Sequence, residues 1–295
     1  MSKKTTTLRR GGYRATFQRG KSFLVRILVR TVYLAAISFF LLPVLWIISL
    51  SVRPDANLFT NFTLLPTAFT MNAYSTVIDA GILRWFLNTV VVSAFSIVGV
   101  LLVTVPASYA FSRMNFKGRR TALLVILTFQ MISSIVIIIP LYQIMQTLRL
   151  IGTMHGLILV YIGIQIPFSI WLLKGFFDSI PPEVDRAAMI DGCNRFQIMR
   201  HVLLDPIKPG IAVVSIFNLV FYWSEFAIAY TILGVNDDLI TLSMGIFNFE
   251  RAASQGTDWQ AIAAASVIGM IPLIIMFIAL QRYFIRGLTD GAVKG

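Results

Sequence analysis

The sequence is poor in the residues that usually carry chemistry. Its 295 residues include one cysteine, Cys193, and two histidines, His155 and His201. A lone thiol excludes an internal disulfide. The two imidazoles lie far apart, so no Cys/His spacing suits zinc and no metal site is expected. No nucleophile, base and orienting group recur together, and no catalytic residue is assigned. Acids are scarce as well: 13 Asp and Glu stand against 25 Lys and Arg, and only 13% of the chain is charged. A soluble domain carries about 25% charged and about 45–50% apolar residues. Here 57% of residues are hydrophobic and the mean hydropathy is +0.79. These shortages exclude a disordered chain, an acidic scaffold and an ordinary cytosolic enzyme.

What is present is a set of long apolar runs. A helix of about 20 apolar residues crosses the hydrocarbon layer, and six such runs stand at roughly 28–51, 86–111, 121–142, 157–173, 210–233 and 260–284. Inside lipid every backbone amide must bond within its own segment, which a helix achieves most simply. The alternation expected of a membrane β-strand is missing. The expected fold is an all-α membrane protein with six transmembrane helices. Its domains are a basic tail over 1–27, a six-helix transmembrane domain over 28–284 that includes the loop 174–210, and a C-terminal tail over 285–295. The first run is too long for a cleaved signal peptide, and no small-residue cleavage site follows it.

The net charge of +12 sorts by loop. Nine cations fall between Lys3 and Arg30, four between Arg113 and Arg120, five between Lys174 and Lys208, and three between Arg282 and Lys294. The alternate loops hold only Arg53, Arg84, Arg149 and Arg251. Such a bias predicts both termini in the cytoplasm, with attraction to anionic membrane lipid. No nucleic-acid binding is expected, because the basic tail contains no binding module and adjoins a span. Ala15 to Ser22 comes close to a phosphate-binding loop. It lacks the first glycine and the preceding strand that such a loop needs, so the chain is not expected to carry its own ATPase.

Most of the interpretable polarity lies in the loop 174–210. Ser179 is suited to cap a first short helix, with Pro181 and Pro182 in its first turn and Glu183 and Asp185 at its positive end. Gly192 is a natural stop, and Asn194 is suited to cap a second helix ending before Asp205-Pro206. In that helix Phe196, Met199, Val202 and Leu203 share one face. A hairpin lying on the membrane and a knob docking into a soluble partner both fit this pattern.

The segment from Phe168 to Pro181, with Arg186-Ala187-Ala188, Asp191, Gly192, Val202 and Leu204, resembles the cytoplasmic coupling loop of ABC-importer permeases. That family's loop runs Glu-Ala-Ala, three residues, Gly, nine residues, then Ile-x-Leu-Pro. The chain departs from it at two places: Arg186 stands at the Glu position and Asp205 at the Pro position. Asp185 is the neighbouring acid able to replace the missing Glu. Tyr109 to Arg113, Ile139 to Tyr142, Trp223 to Phe226 and the tail Gly287 to Gly295 are similar to the carbohydrate-importing branch, most of all to the smaller permease of maltose and maltodextrin transporters. The resemblance implies a prokaryotic inner-membrane permease that imports a sugar and binds no cofactor of its own. It also implies four kinds of partner: a second permease, two cytoplasmic ATPase subunits using ATP and Mg, an extracytoplasmic sugar-binding protein, and lipid. Lys294 and Gly295 would lie at the ATPase, and the loop from Leu239 to Trp259 would reach the binding protein.

Glu225 is the one carboxylate well inside an apolar run. A buried charge there is costly and should face a wet cavity or a partner. If 210–233 is one helix, Asn218, Tyr222 and Glu225 share a face and Trp223 is offset. That face either lines a sugar pathway or joins helices through polar contacts. Gln130, Ser133, Ser134 and Gln165 are further pathway candidates. Pro106, Pro140, Pro167 and Pro272 are candidates for helix bends. A secondary transporter using Glu225 for ion coupling is the alternative function, but it leaves the 174–210 loop unexplained.

Overall fold

Once water is excluded, the apolar runs can satisfy their amides only as helices. The computed structural model of the chain describes residues 12–54, 66, 68–234, 236–251 and 258–292, with side chains over 25–54, 66, 68–234, 236–249 and 258–279. Every regular element among the described residues is helical. The first half comprises α1 (Gly12–Ser51), α2 (Asn72–Asp79), α3 (Ile82–Arg113), α4 (Arg119–Gln130), α5 (Ser134–Thr147) and α6 (Met154–Ser179). The second half comprises α7 (Pro182–Ile190), α8 (Arg195–Gln197), a π-helical stretch over Ile198–Leu203, α9 (Leu204–Ser224), α10 (Ala227–Leu233), α11 (Leu242–Arg251) and α12 (Trp259–Ala292).

Among the described residues, five helical segments are long and apolar enough to cross a membrane: Val25–Ser51, Ile82–Arg113, Met154–Ser179, Arg195–Ser224 and Trp259–Ala279. The sixth run differs from the straight span expected over 121–142. It is split into α4 and α5, which meet at 99°. The break precedes Ser134, at Ser133, whose backbone is extended at φ −63° and ψ 137°. Serine hydroxyls compete for backbone hydrogen bonds, and serine pairs are common sites of sharp kinks. Prolines do not make the breaks here: Pro106, Pro140, Pro167 and Pro272 all lie inside continuous helices.

The run 210–233 is also broken. Helix α9 stops at Ser224, Glu225 is extended at φ −71° and ψ 126°, and α10 begins at Ala227. The second loop helix differs in the opposite sense. It does not end before Asp205-Pro206 but continues through the π-helical stretch into α9. Pro206 and Pro209 lack the amides that an unbroken α-ladder uses, and the wider turn just before them lets the ladder change register.

Helices α3 and α6 lie along one another and hold α9 against them. A side chain at Gly99 would strike Ile162 of α6, and one at Gly210 would strike Phe176. Small residues at such crossings let membrane helices approach closely. Three buried clusters follow. One joins α3, α5, α6, α9 and α10 around Tyr161, Tyr222 and Ile232. A second joins α2, α3, α9, α11 and α12 around Trp85, Trp223 and Leu242. The third sits at the end of the bundle that carries α7, around Tyr109, Phe177, Ile198 and Ile207. Elsewhere large apolar side chains face outward, among them Phe39, Phe40, Leu102 and Ile135. Outward apolar faces of this extent belong in lipid or against another membrane helix.

Candidate functional site

The exposed helix α7 is held from beneath by charge. Glu183 and Asp185 occupy its first turn, where the positive end of the helix dipole favours acids. Asp185 points inward, and its Oδ2 lies 3.1 Å from Nε of Arg113, the last residue of α3. Both side chains are only 9% exposed. The two groups face each other as charges without an aligned hydrogen bond, and neither carboxylate oxygen has a hydrogen-bonded donor. Arg113 Nη2 also donates to the Ile180 carbonyl, at 2.7 Å, just ahead of α7. One guanidinium therefore ties the start of α7 to the end of a long transmembrane helix. Asp185 is thus turned inward, towards the end of α3. Glu183 is the exposed acid of this turn, and it pairs with Arg186 at 3.0 Å.

The capping expected of this loop is met in part. Pro181, not Ser179, occupies the N-cap of α7, because the Ser179 hydroxyl donates to the Phe176 carbonyl and closes α6 instead. Gly192 turns the chain at φ +83°, a conformation that costs glycine little. Asn194 and Gln197 form a reciprocal capping box, at 2.9 and 2.8 Å. The apolar face differs from the one expected. Ile198 and Leu203 are fully buried with Ala188, while Met199 and Val202 pack partly against them. Phe196 turns outward and is 62% exposed. The π-helical stretch rotates the face away from a 3.6-residue period. Ala187, Met189, Ile190, Asp191 and Gly192 join Phe196 on the exposed side, with Ile190 86% exposed, and Leu204 is exposed beyond them. The loop therefore presents exposed apolar side chains, Ile190 and Phe196 among them, on a buried mount.

Asn218, Tyr222 and Glu225 all turn towards α6, as expected, and Trp223 is offset towards α12. Asn218 is fully buried and joins α6 to α9: it accepts from Gln165 Nε2 at 2.8 Å and donates to Ser169 Oγ at 3.0 Å. Tyr222 is stacked on Tyr161 at 4.8 Å between ring centroids and donates to its carbonyl. Trp223 donates from Nε1 to the Gly269 carbonyl of α12, at 3.0 Å. Glu225 is not helical. Its carboxylate accepts from the amides of Ile228 and Ala229, at 2.8 and 3.0 Å, and from the Tyr161 hydroxyl at 3.0 Å. The acid therefore caps α10 inside the apolar region, where its charge meets the positive end of a helix. Tyr161 went unremarked in the sequence because a lone tyrosine among apolar residues gives no periodic signal.

The breaks open two clefts. Gln130, Ser133, Ser134 and Gln165 come together with Pro167 and Phe221 around an open cleft of about 720 Å³ between the α4–α5 break and α6. The second, of about 510 Å³, lies between α9, α11 and α12, where Trp223, Ser224, Phe226, Ser243 and Trp259 meet. Among the described residues no three His, Cys, Asp or Glu side chains gather into a metal site. Lys294 and Gly295 lie outside the described residues.

The chain is thus a bundle of apolar helices, long enough to cross a membrane and in places broken, with an outward-facing helix seated on a buried ion pair. The comparisons identify the family. Residues 103–290 match the family described as the binding-protein-dependent transport system inner membrane component, and the chain belongs to it. Among curated relatives, the probable ABC transporter permease protein YurM of Bacillus subtilis is 33% identical over 89% of this chain and 86% of its own length. The galactooligosaccharides transport system permease protein GanQ of the same organism is 34% identical over 86% of this chain and 90% of its own. The trehalose transport system permease protein SugB of Mycobacterium tuberculosis is 32% identical over 88% and 94%. A chain from the crystal structure of a bacterial ABC transporter that imports the polysaccharide alginate has the same fold, with a TM-score of 0.75 at 23% identity, covering 95% of this chain and all of that one. The chain is accordingly a multi-pass inner-membrane permease subunit of an ABC importer, and translocation rather than ATP hydrolysis is its task.

Proposed function

We propose that this permease imports a di- or oligosaccharide, as one half of a heterodimer with a second permease. The relatives' names support that class: they cite galactooligosaccharides, diacetylchitobiose and trehalose. Maltose and maltodextrin belong to the same class and are its first members to assay. In this reading both termini and the α7 end face the cytoplasm, as the loop cations require. Two partner ATPase subunits hold ATP and Mg there. An extracytoplasmic binding protein delivers sugar at the opposite end, which carries α11.

The observation that carries the mechanism is the mounting of α7. When the ATPases close, the patch around Ile190 and Phe196 moves with them. The Arg113–Asp185 contact and the buried side chains of Ile198 and Leu203 pass that displacement to α3 and α9. The bundle then shifts between two packed states, biased by the partner's differential affinity for them. The cleft bearing Gln130, Ser133, Ser134 and Gln165 supplies hydroxyls and amides suited to sugar hydroxyls. Trp223 in the second cleft supplies an aromatic plate. Asn218, Tyr222 and Glu225 hold the walls in place.

Reconstituted transporter in vesicles tests the reading. Uptake of labelled disaccharide should require ATP and the binding protein and should persist with an uncoupler present. Uptake that collapses with the uncoupler while ATP is held high would overturn the reading in favour of ion coupling.

A further inference from the structure

At the α7 end of the bundle, the start of α4 and the end of α6 bring three cations together. The turn Phe116-Lys117-Gly118 reverses the chain from α3 into α4, so Arg119 and Arg120 stand at the first turn of that helix. Lys174, near the end of α6, faces the same opening, and together they line a cleft of about 570 Å³. Arg119 is partly committed: it donates to the carbonyls of Ser112 and Met114 and to Asn115 Oδ1. Lys174 spends one of its three donors on Asp178, which also accepts from Ser112. Arg120 is exposed. With one acid and three cations, the cleft keeps a positive charge.

Directly beneath the cations the surface becomes apolar. Leu123 and the Lys174–Asp178 pair also line a second groove, of about 330 Å³, that continues along Leu127, Trp171, Leu172 and Gly175. Leu127 is eight residues beyond Arg119, about 12 Å deeper at about 1.5 Å per residue. Trp171 is 53% exposed on the groove wall. A side chain at Gly175 would meet open space, so the groove floor is unfilled. A cluster of cations, an interfacial tryptophan and an open apolar channel below them match a phosphate headgroup followed by an acyl chain.

We infer that the α4–α6 groove is a binding site for one anionic phospholipid, with the phosphate at Arg119, Arg120 and Lys174 and an acyl chain along Leu123, Leu127 and Trp171. The site rests on the membrane-spanning reading, and the orientation proposed above places it in the cytoplasmic leaflet, the anionic one. A lipid is favoured over a soluble phosphate because the apolar groove is continuous with the cationic cleft, and a free anion would leave that groove empty.

The test is lipid retention by the assembled, detergent-solubilised transporter, measured by native mass spectrometry. It is blind to orientation, so its outcome is separate from that of the transport reading. After exchange into phosphatidylglycerol or phosphatidylcholine, the complex should retain one phosphatidylglycerol in preference to phosphatidylcholine. Arg120→Gln and Lys174→Gln should each weaken retention about five-fold. Gly175→Leu, which fills the groove without touching a charge, should also release the lipid. Equal retention of the two lipids, or retention unchanged in all three variants, overturns the site. Inorganic phosphate displacing nothing supports the lipid assignment, whereas full displacement at millimolar phosphate overturns it. A Trp171→Cys variant that crosslinks to the second permease would also overturn it, by showing that protein covers the groove.

Discussion

Arg113 closes α3 and faces Asp185 of α7 across 3.1 Å, with both side chains 9% exposed. Breaking such a pair leaves a charge buried alone, at a cost of about 3–5 kcal/mol, whereas removing both charges costs less. Asp185→Asn should therefore lower the melting temperature of the assembled transporter and reduce coupled transport. The double variant Arg113→Gln/Asp185→Asn should lose less stability than the two single losses added together. A thermal-denaturation double-mutant cycle reads this directly, and simple additivity would count against the pair.

Glu225 caps α10 through two amides and accepts from Tyr161. Loss of a helix N-cap costs about 0.5–2 kcal/mol. Glu225→Ala should be less stable than Glu225→Gln, which keeps one carbonyl acceptor, and uptake should fall in the same order. If Glu225→Gln abolished uptake with its melting unchanged, the carboxylate would be a coupling group and not a cap.

Asn218 and Gln130 separate wall from lining. Asn218→Leu strands Gln165 and Ser169 in a buried contact, at about 1–3 kcal/mol. Gln130 is exposed on the cleft, and Gln130→Ala should change stability by less than about 0.5 kcal/mol while raising the KM for sugar. Parallel measurements of melting and uptake distinguish the two roles. A Gln130→Ala transporter with an unaltered KM would remove the cleft from the pathway.

Gly192 holds φ +83° at the end of α7. Proline is fixed near −65° and cannot adopt it, while asparagine visits this region more readily than most residues. Gly192→Pro should insert normally yet hydrolyse ATP without moving sugar, and Gly192→Asn should retain much of the transport. The ratio of ATP hydrolysed to sugar imported reports both.

The six apolar runs were legible because hydropathy depends on composition alone, and the class follows from them. The breaks at Ser133 and Glu225 were not, since a hydropathy average does not register a side chain that captures backbone groups. Glu225 stood out as the right residue, but its cost is met by the amides of Ile228 and Ala229, partners that exist only after the helix has broken. The Gly192 turn and the Asn194 cap were readable because each rests on local chemistry within a few residues. The pairing of Asp185 was not legible, because its partner, Arg113, lies 72 positions earlier and is brought near only by the packing of α3 against α6. The phase of the apolar face after Asn194 slipped for a similar reason: Pro206 and Pro209 sit after a π-helical stretch that no 3.6-residue pattern anticipates.

Ile190 offers the most direct test of the coupling account. It is 86% exposed at the end of α7 and contributes little to the fold of the chain. Sugar uptake and ATPase activity should be measured on reconstituted transporter carrying Ile190→Asp, with membrane insertion and melting followed in the same preparation. The account predicts normal insertion and melting with uptake reduced about ten-fold or more, because about 1.4 kcal/mol of lost docking is a factor of ten. Uptake and ATPase activity equal to the unsubstituted transporter would contradict it.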